Sequence, residues 1–488
     1  MIREMSYTFT FDASACSGCK TCQEACKDKN NLPIGIMWRR VIEISGGDWH
    51  LANSAWENSV FAYNLSLACN HCTHPKCAGV CPVDAYTVRP DGIVLIDSSK
   101  CMGCDYCAWA CPYGAPQYDA EQGIMTKCDF CYDRLDAGVP PSCVSACPLR
   151  VLEYGTIAEL STVNKGQNLW QLPAIEHPFP LPDYSRTEPH LAIKPHAGMN
   201  NPLTKTVSNQ EELRPLHSFE NTYRIDAVRE LPLVGFTLLA QAAAGMAVFS
   251  LVLSPVPPPV LLAIGILLGS GGLISCLHLG RKGNAWRSVI HLKKSWLSRE
   301  ILVAGMFGAT WAVAAGLQFF WKISPNLWPL AILGLGLIYC MTRVYHLRAV
   351  PAWNNWRTSA AFFLSAVTLG ALGVNFAAPH PEWVILAGIG MIAGMLMMLT
   401  TQSTHNDTAR KLQIAFLGLG IIGTLFLAIV PQANQAWLAI PIFLVVLAAE
   451  IIGRWQFYAI RKPFPMNANH AGTYSIYKVR PSQGRNKS

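Results

Sequence analysis

The pattern of apolar and polar positions divides the chain near residue 230. Residues 1–160 are polar, cysteine-rich and mixed in charge, and two short apolar segments, Val60-Phe61-Ala62-Tyr63-Asn64-Leu65-Ser66 and Gly92-Ile93-Val94-Leu95-Ile96-Asp97, predict strands. Residues 161–230 hold Pro173, Pro178, Pro180, Pro182, Pro189, Pro195 and Pro202 among polar residues, the pattern of an extended arm and a linker. Eight apolar stretches follow, at 231–253, 259–279, 301–321, 328–342, 359–378, 383–400, 412–430 and 436–453. Most approach the ~20 residues that an α-helix needs to cross the hydrocarbon core. The shortest, 328–342, reaches that length only if Trp328 and Tyr345 mark its two interfaces, so the range is six to eight spans. A single such run would fit a buried helix of a soluble core; eight in succession do not. The expected division is 1–160, 161–230, a membrane region 231–455 and a tail 456–488.

Basic residues give the spans a direction. On the side shared with the N-terminal region, the connections carry Arg281, Lys282, Arg287, Lys293, Lys294, Arg299, Arg343, Arg348, Arg357, Arg410 and Lys411, against Lys322 alone on the other side. The positive-inside rule places the N-terminal region and the C-terminus in the cytoplasm, across the cytoplasmic (inner) membrane, and an even number of spans agrees. Met1–Lys20 has no apolar signal segment and no twin-arginine pair, which points the same way.

Composition narrows the class. Charged residues are 14% of the 488 and hydrophobic ones 51%, with a mean hydropathy of +0.25, which excludes an ordinary soluble protein. Fifteen Trp and 19 Phe exclude a disordered one. The net charge of +8 is carried by the loops between apolar stretches, a topology signal rather than a nucleic-acid footprint.

Sixteen of the 18 cysteines lie between Cys16 and Cys147, in four groups of four. The first is Cys16-x2-Cys19-x2-Cys22-x3-Cys26 and the third Cys101-x2-Cys104-x2-Cys107-x3-Cys111-Pro112. The second is Cys69-x2-Cys72-x4-Cys77-x3-Cys81-Pro82, and the fourth Cys128-x2-Cys131-x11-Cys143-x3-Cys147-Pro148. Two-residue gaps let a tight loop aim successive thiolates at one cubane, while the fourth cysteine reaches a neighbouring cluster. Zinc ribbons use separated pairs, and a cytoplasmic location disfavours disulfides. Sixteen ligands, all cysteine, predict four [4Fe–4S] clusters. Cys276 and Cys340 fall in spans and read as small apolar residues. The fold class is therefore an α+β, ferredoxin-like four-cluster iron–sulfur domain built of βαβ units, followed by an all-α polytopic membrane domain of about eight helices. Nothing resembles a nucleophile or a catalytic acid–base pair, so the chain carries electrons for a partner that performs the substrate chemistry.

Particular residues carry a resemblance to a known family. Cys-Ser-Gly-Cys-Lys-Thr-Cys at 16–22, Gly-Gly-Asp-Trp at 46–49, Cys-Asn-His-Cys at 69–72, Cys-Pro-Tyr-Gly-Ala-Pro-Gln-Tyr at 111–118, Met-Thr-Lys-Cys-Asp at 125–129 and Cys-Pro-Leu-Arg at 147–150 resemble the iron–sulfur subunit of bacterial dimethyl sulfoxide reductase. The likeness covers about residues 5–197. More weakly, His278-Leu279-Gly280, Ser298-Arg299-Glu300-Ile301, Arg343-Val344-Tyr345, Pro351-x-Trp353 and Glu450-Ile451-Ile452-Gly453-Arg454 are similar to the anchor subunit of that enzyme. The family keeps these as separate chains, here joined near residues 199–225.

The resemblance implies a partner subunit carrying a molybdenum bis(pterin guanine dinucleotide) cofactor, and exchange with the quinone pool, menaquinol included, in a haem-free anchor. It also implies the ligand sets Cys16, Cys19, Cys22 with Cys147; Cys128, Cys131, Cys143 with Cys26; Cys69, Cys72, Cys77 with Cys111; and Cys101, Cys104, Cys107 with Cys81, the last nearest the membrane. Quinol oxidation needs a proton acceptor at that boundary, and Glu300, at the start of the third span, and His278, at the end of the second, both face the cluster side. Read without the family, the same residues are an interfacial charge and a snorkelling histidine. Haem would need histidines deep within spans, whereas His278, His291, His346, His380 and His405 lie in loops or at span ends. Glu450 and Arg454, one turn apart, read as an i,i+4 ion pair.

Three functions compete on these residues. The wire serves a reductase that passes electrons from menaquinol to dimethyl sulfoxide or another S- or N-oxide, or it runs in reverse in a cytoplasm-facing dehydrogenase, for instance one oxidising sulfite. A scaffold without electron transfer has no use for four complete ligand sets.

Overall fold

A computed structural model describes residues 5–46, 49–52, 55–58, 60–163, 167–168, 186–197, 229–400, 407–430, 432–459 and 474–475. The expected join at 199–225 and His405 lie outside the described residues. In the N-terminal half, Tyr7–Asp12 is the pivot of a sheet, pairing antiparallel with Leu152–Thr156 and parallel with Leu191–Lys194. Part of the Pro-rich arm thus returns as a strand. Arg40–Gly46 pairs antiparallel with Phe61–Leu67, from Arg40↔Leu67 to Gly46↔Phe61, and Tyr474–Ser475 of the tail joins the outer edge of Arg40–Gly46.

Both predicted strands are present, at Phe61–Leu67 and Val94–Ile96, but their pairing differs from the expected βαβ units. Val94–Ile96 pairs antiparallel with Tyr86–Val88, and Gln117–Asp119 pairs antiparallel with Ile124–Thr126. The connections are a few residues long, whereas a parallel crossover takes a dozen or more. Hairpins are therefore the geometry that the short intervals between cysteine groups permit.

Eight helices long and apolar enough to cross a membrane follow: Leu231–Val252, Pro258–His278, Trp296–Phe319, Trp328–Tyr345, Trp356–Phe376, Pro381–Leu399, Thr408–Ile429 and Leu438–Ala459. They are called spans 1 to 8 in that order. Four begin with proline in the first turn, where its missing N–H costs nothing, at Pro232, Pro258, Pro329 and Pro381. Asn355 caps span 5, its Oδ1 accepting from the N–H groups of Arg357 (3.0 Å) and Thr358 (3.3 Å). Span 4 extends to Tyr345, with Trp328 and Tyr345 at its ends as expected.

Spans 1, 4 and 5 are central. More than half of each is buried, against 17–28% for the others, whose outer faces present Leu262, Ile266, Leu273, Ile389, Leu425 and similar residues to the surroundings. Small residues let the central helices touch. A Cβ on Gly245 of span 1 would strike the Ala366 carbonyl of span 5, and one on Gly334 of span 4 would meet Ala244 Cβ at 3.1 Å.

Glu450 and Arg454 do not form the direct pair expected from their spacing. Ser365 Oγ of span 5 stands between them, donating to Glu450 Oε2 (2.7 Å) and accepting from Arg454 Nη2 (3.3 Å). Arg454 also donates to Gln241 Oε1 of span 1 (3.0 Å) and lies 3.7 Å above the Phe362 ring. Both charges are drawn into the bundle, where a polar side chain on a neighbouring helix is a better partner than an intrahelical contact across the apolar surface.

Candidate functional site: four cysteine sets and the membrane junction

The cysteine loops share a backbone signature. Gly18, His71, Gly103 and Phe130, each the residue before the second cysteine of its group, have φ of 72°, 42°, 69° and 64°. Asp84, Gly114 and Arg150, each third after the cysteine of a Cys-Pro pair, have φ of 50°, 61° and 53°. These left-handed turns curl the backbone so that N–H groups point at sulfur: Phe130 N–H donates to Cys128 Sγ, Met125 N–H to Cys101 Sγ and Ala85 N–H to Cys81 Sγ, each at 3.4 Å. Short helices then carry the later cysteines, Cys22 and Cys26 on Thr21–Lys29, Cys77 on Lys76–Val80, Cys107 on Tyr106–Ala110 and Cys143 on Ser142–Ser145.

Two helix contacts exchange cysteines between groups. Thr21–Lys29 packs on Ser142–Ser145, and Lys76–Val80 packs on Tyr106–Ala110. As a result, Cys16, Cys19, Cys22 and Cys147 line one cavity, and Cys69, Cys72, Cys77 and Cys111 another. Cys26 faces Cys143 and Cys131, with Cys128 beside it. Cys104 and Cys107 face Cys101 and Cys81.

The donor chemistry of these sites fits iron–sulfur clusters. Burial pushes thiols in these sets up, Cys26 to about 12 and Cys111 to about 11, so ionisation of those two in place requires a metal to take the charge. Buried donors next to the sets also lack acceptors. His71 Nδ1 accepts from Val94 N–H (3.0 Å), which puts the ring proton on Nε2, and neither that atom nor Arg39 Nη2 has a hydrogen-bond partner among the described residues. Cluster sulfide is the acceptor that such groups await.

The set with Cys101, Cys104, Cys107 and Cys81 lies against the spans. His278 Nε2 is 3.2 Å from Cys104 O, His291 Nδ1 is 2.8 Å from Cys81 O, and Asn284 Nδ2 donates to Cys101 O (2.9 Å). Ser295 caps span 3 and also donates to Val80 O (2.8 Å), tying the helix start to the residue before Cys81. Gly123 (φ 68°) abuts Gly280, and a Cβ on Gly123 would come within 2.8 Å of the Gly280 carbonyl oxygen.

His278 and Glu300 both sit at this junction. His278 is buried, with Nδ1 3.4 Å from Glu230 Oε2, and does not reach toward headgroups as a snorkelling side chain would. The third span begins earlier than expected, so Glu300 is the fifth residue of its helix, 4% exposed, and its carboxylate makes no hydrogen bond or ion pair among the described residues. Around them the cluster domain contributes Tyr106, whose hydroxyl donates to Val344 O (3.2 Å), and Trp109, stacked on Tyr345 at 6.1 Å. Burial pushes the Tyr106 phenol up and the Glu300 carboxylate adds to the effect. Tyr345 and Tyr458 share a hydroxyl contact of 2.5 Å.

Sequence reasoning missed Tyr106, Trp109 and Glu230. The available signal was the spacing of Tyr106 and Trp109, three apart between Cys104 and Cys111, where one helix face must turn away from the cluster. Two of the other span-end histidines have local partners: His346 Nε2 lies 3.2 Å from Asn355 O, and His380 Nδ1 lies 3.7 Å from Glu382 Oε2. Cys276 is exposed on the outside of the bundle and Cys340 is buried within it.

Cysteine-rich loops docked on a bundle of apolar helices define an iron–sulfur electron-transfer and membrane-anchor protein. Residues 60–157 match the 4Fe-4S dicluster domain, and residues 225–379 match the DMSO reductase anchor subunit. The chain is 48% identical over 209 residues to the probable anaerobic dimethyl sulfoxide reductase chain YnfG of Escherichia coli (strain K12), covering 42% of this chain and 98% of that one. It is 49% identical over 191 residues to the B subunit of anaerobic dimethyl sulfoxide reductase from the same organism, covering 39% and 89%. The formate dehydrogenase iron–sulfur subunit of Wolinella succinogenes is 36% identical over 177 residues, covering 32% and 84%. The chain belongs to the family of dimethyl sulfoxide reductase iron–sulfur subunits, with the anchor fused to it in one polypeptide.

Proposed function

We propose that this chain exchanges electrons between menaquinol and a molybdopterin-containing catalytic subunit through four [4Fe–4S] clusters, in the direction that reduces dimethyl sulfoxide or a related S- or N-oxide. The clusters would be held by Cys16, Cys19, Cys22 and Cys147; by Cys128, Cys131, Cys143 and Cys26; by Cys69, Cys72, Cys77 and Cys111; and by Cys101, Cys104, Cys107 and Cys81. Bound iron supplies one-electron chemistry, and the protein supplies ligands, hydrogen bonds to sulfur and exclusion of water.

One observation carries the reading. The loop of the last set is bonded directly to the span ends that present His278 and Glu300, so a quinol at that junction is next to a cluster. Glu300 is the proton acceptor there and His278 orients the head group, in an anchor without haem. Anaerobically purified complex is expected to contain about 16 iron atoms, four per cubane, and menaquinol added to it is expected to bleach the cluster absorbance. Stoichiometric zinc, or clusters that stay oxidised with menaquinol while dithionite reduces them, would defeat the proposal.

The orientation is cytoplasmic for both termini and the iron–sulfur domain, in the inner membrane. It is supported by the eleven basic residues on the cluster side against Lys322. A reporter active only in the periplasm, fused after Ser488, is expected to be silent; activity would reverse the topology and put the catalytic partner outside.

A further inference from the structure

Arg39 is 2% exposed, at the start of the strand Arg40–Gly46, and no carboxylate among the described residues pairs with it. A buried guanidinium without an acid is rare, because the cost of desolvating the charge must be met by some anion nearby. Its surroundings show which anions those are. Nη1 donates to Ser66 Oγ (3.2 Å) and Ser66 O (3.3 Å), and Ser66 Oγ is 3.3 Å from Cys22 Sγ. The backbone N–H of Arg39 donates toward the Cys26 thiol. The guanidinium lies 4.4 Å above Phe9, which stacks at 4.0 Å on Phe130, which precedes Cys131 and whose N–H donates to Cys128 Sγ. Nη2 has no hydrogen-bond partner among the described residues.

One fixed cation therefore stands beside ligands of two sets, linked to Cys22 through Ser66 and carried by the residue whose backbone N–H donates toward Cys26. We propose that Arg39 is a positioning residue that sets the potentials of the two clusters held by Cys16, Cys19, Cys22, Cys147 and by Cys128, Cys131, Cys143, Cys26, holding both high enough to accept electrons together. Each cluster gains negative charge on reduction, and a guanidinium between them, shielded from water, stabilises the reduced form of each and weakens their mutual repulsion. The ligands of the other two sets have no such contact with Arg39 among the described residues, so their clusters are expected to respond less.

This inference rests on the four-cluster reading, and the test separates the two. In the purified complex, iron is measured and each cluster is titrated by electron paramagnetic resonance. In Arg39→Gln the reduced-to-oxidised ratio of two clusters, at the parental midpoint potential, is expected to fall about tenfold, a downward shift of ~59 mV for a one-electron couple, with the other two moving less. Arg39→Lys, which keeps the charge, is expected to restore most of that shift. Unchanged potentials in Arg39→Gln at full iron content overturn the role of Arg39 and leave the clusters standing. Iron far below 16 atoms in the parental complex overturns the reading beneath it. If Arg39→Gln fails to assemble, Ser66→Ala decides: a downward shift confined to the cluster bound by Cys22 supports the proposal, and four parental potentials overturn it.

Discussion

Replacing Glu300 by Gln is expected to lower menaquinol-dependent turnover by about 10²-fold or more, the range for loss of a positioned general base. Oxidation of a quinol releases protons as well as electrons, and the cluster accepts only the electrons. Glu300 is the one carboxylate at the junction that makes no hydrogen bond or ion pair among the described residues, so it is free to take a proton from a bound head group. Gln keeps the volume and removes the titratable group. Iron content and turnover with a soluble artificial donor, which enters through the clusters, are expected to stay at parental levels. A purely structural residue would lower both activities in step with the amount of complex in the membrane. Parental quinol oxidation in Glu300→Gln would remove the proton role and move attention to His278 with Glu230.

The second large effect is expected at Cys104. Its carbonyl oxygen is hydrogen-bonded to His278, which makes its cluster the expected entry point of the wire under the proposed function. In Cys104→Ser that cluster converts to a three-iron centre or is lost, visible as a new signal in the oxidised protein and as a drop of one to about four iron atoms. Menaquinol-dependent turnover is expected to become undetectable, while the artificial donor, feeding clusters farther from the membrane, sustains activity. Full quinol-dependent turnover with that cluster altered would mean that electrons enter elsewhere.

Most of the architecture could be read in advance because two external constraints write themselves plainly into a chain. A bilayer demands apolar runs of fixed length, and all eight were visible, including the marginal one between Trp328 and Tyr345. A cubane demands thiolates at tight intervals, and those intervals stood out among 18 cysteines. Other features depend on which distant residues meet. Tyr106 reaches Val344 across 238 positions, and Glu230 reaches His278 from the edge of a Pro-rich segment, so no local pattern reveals either. The Glu450 and Arg454 spacing misled for the same reason: a third helix supplied Ser365. Nothing local marks Arg39, beside Arg40, as a buried cation; only the fold encloses it.

The junction between the two halves has a consequence for its evolution. The anchor side holds the cluster loops by many of their carbonyl oxygens, at Val80, Cys81, Pro82, Ser98, Cys101, Met102 and Cys104, through Ser295, His291, Ser298, Arg281, Asn284 and His278. Every residue type offers the same carbonyl. The loops thus turn N–H groups inward to sulfur and several oxygens outward to the membrane half, while Asp105, Tyr106 and Trp109, between the cysteines, add side-chain contacts to it. Positions that meet the anchor through a carbonyl alone can change side chain without loosening that grip, whereas Tyr106, Trp109 and Gly123 cannot.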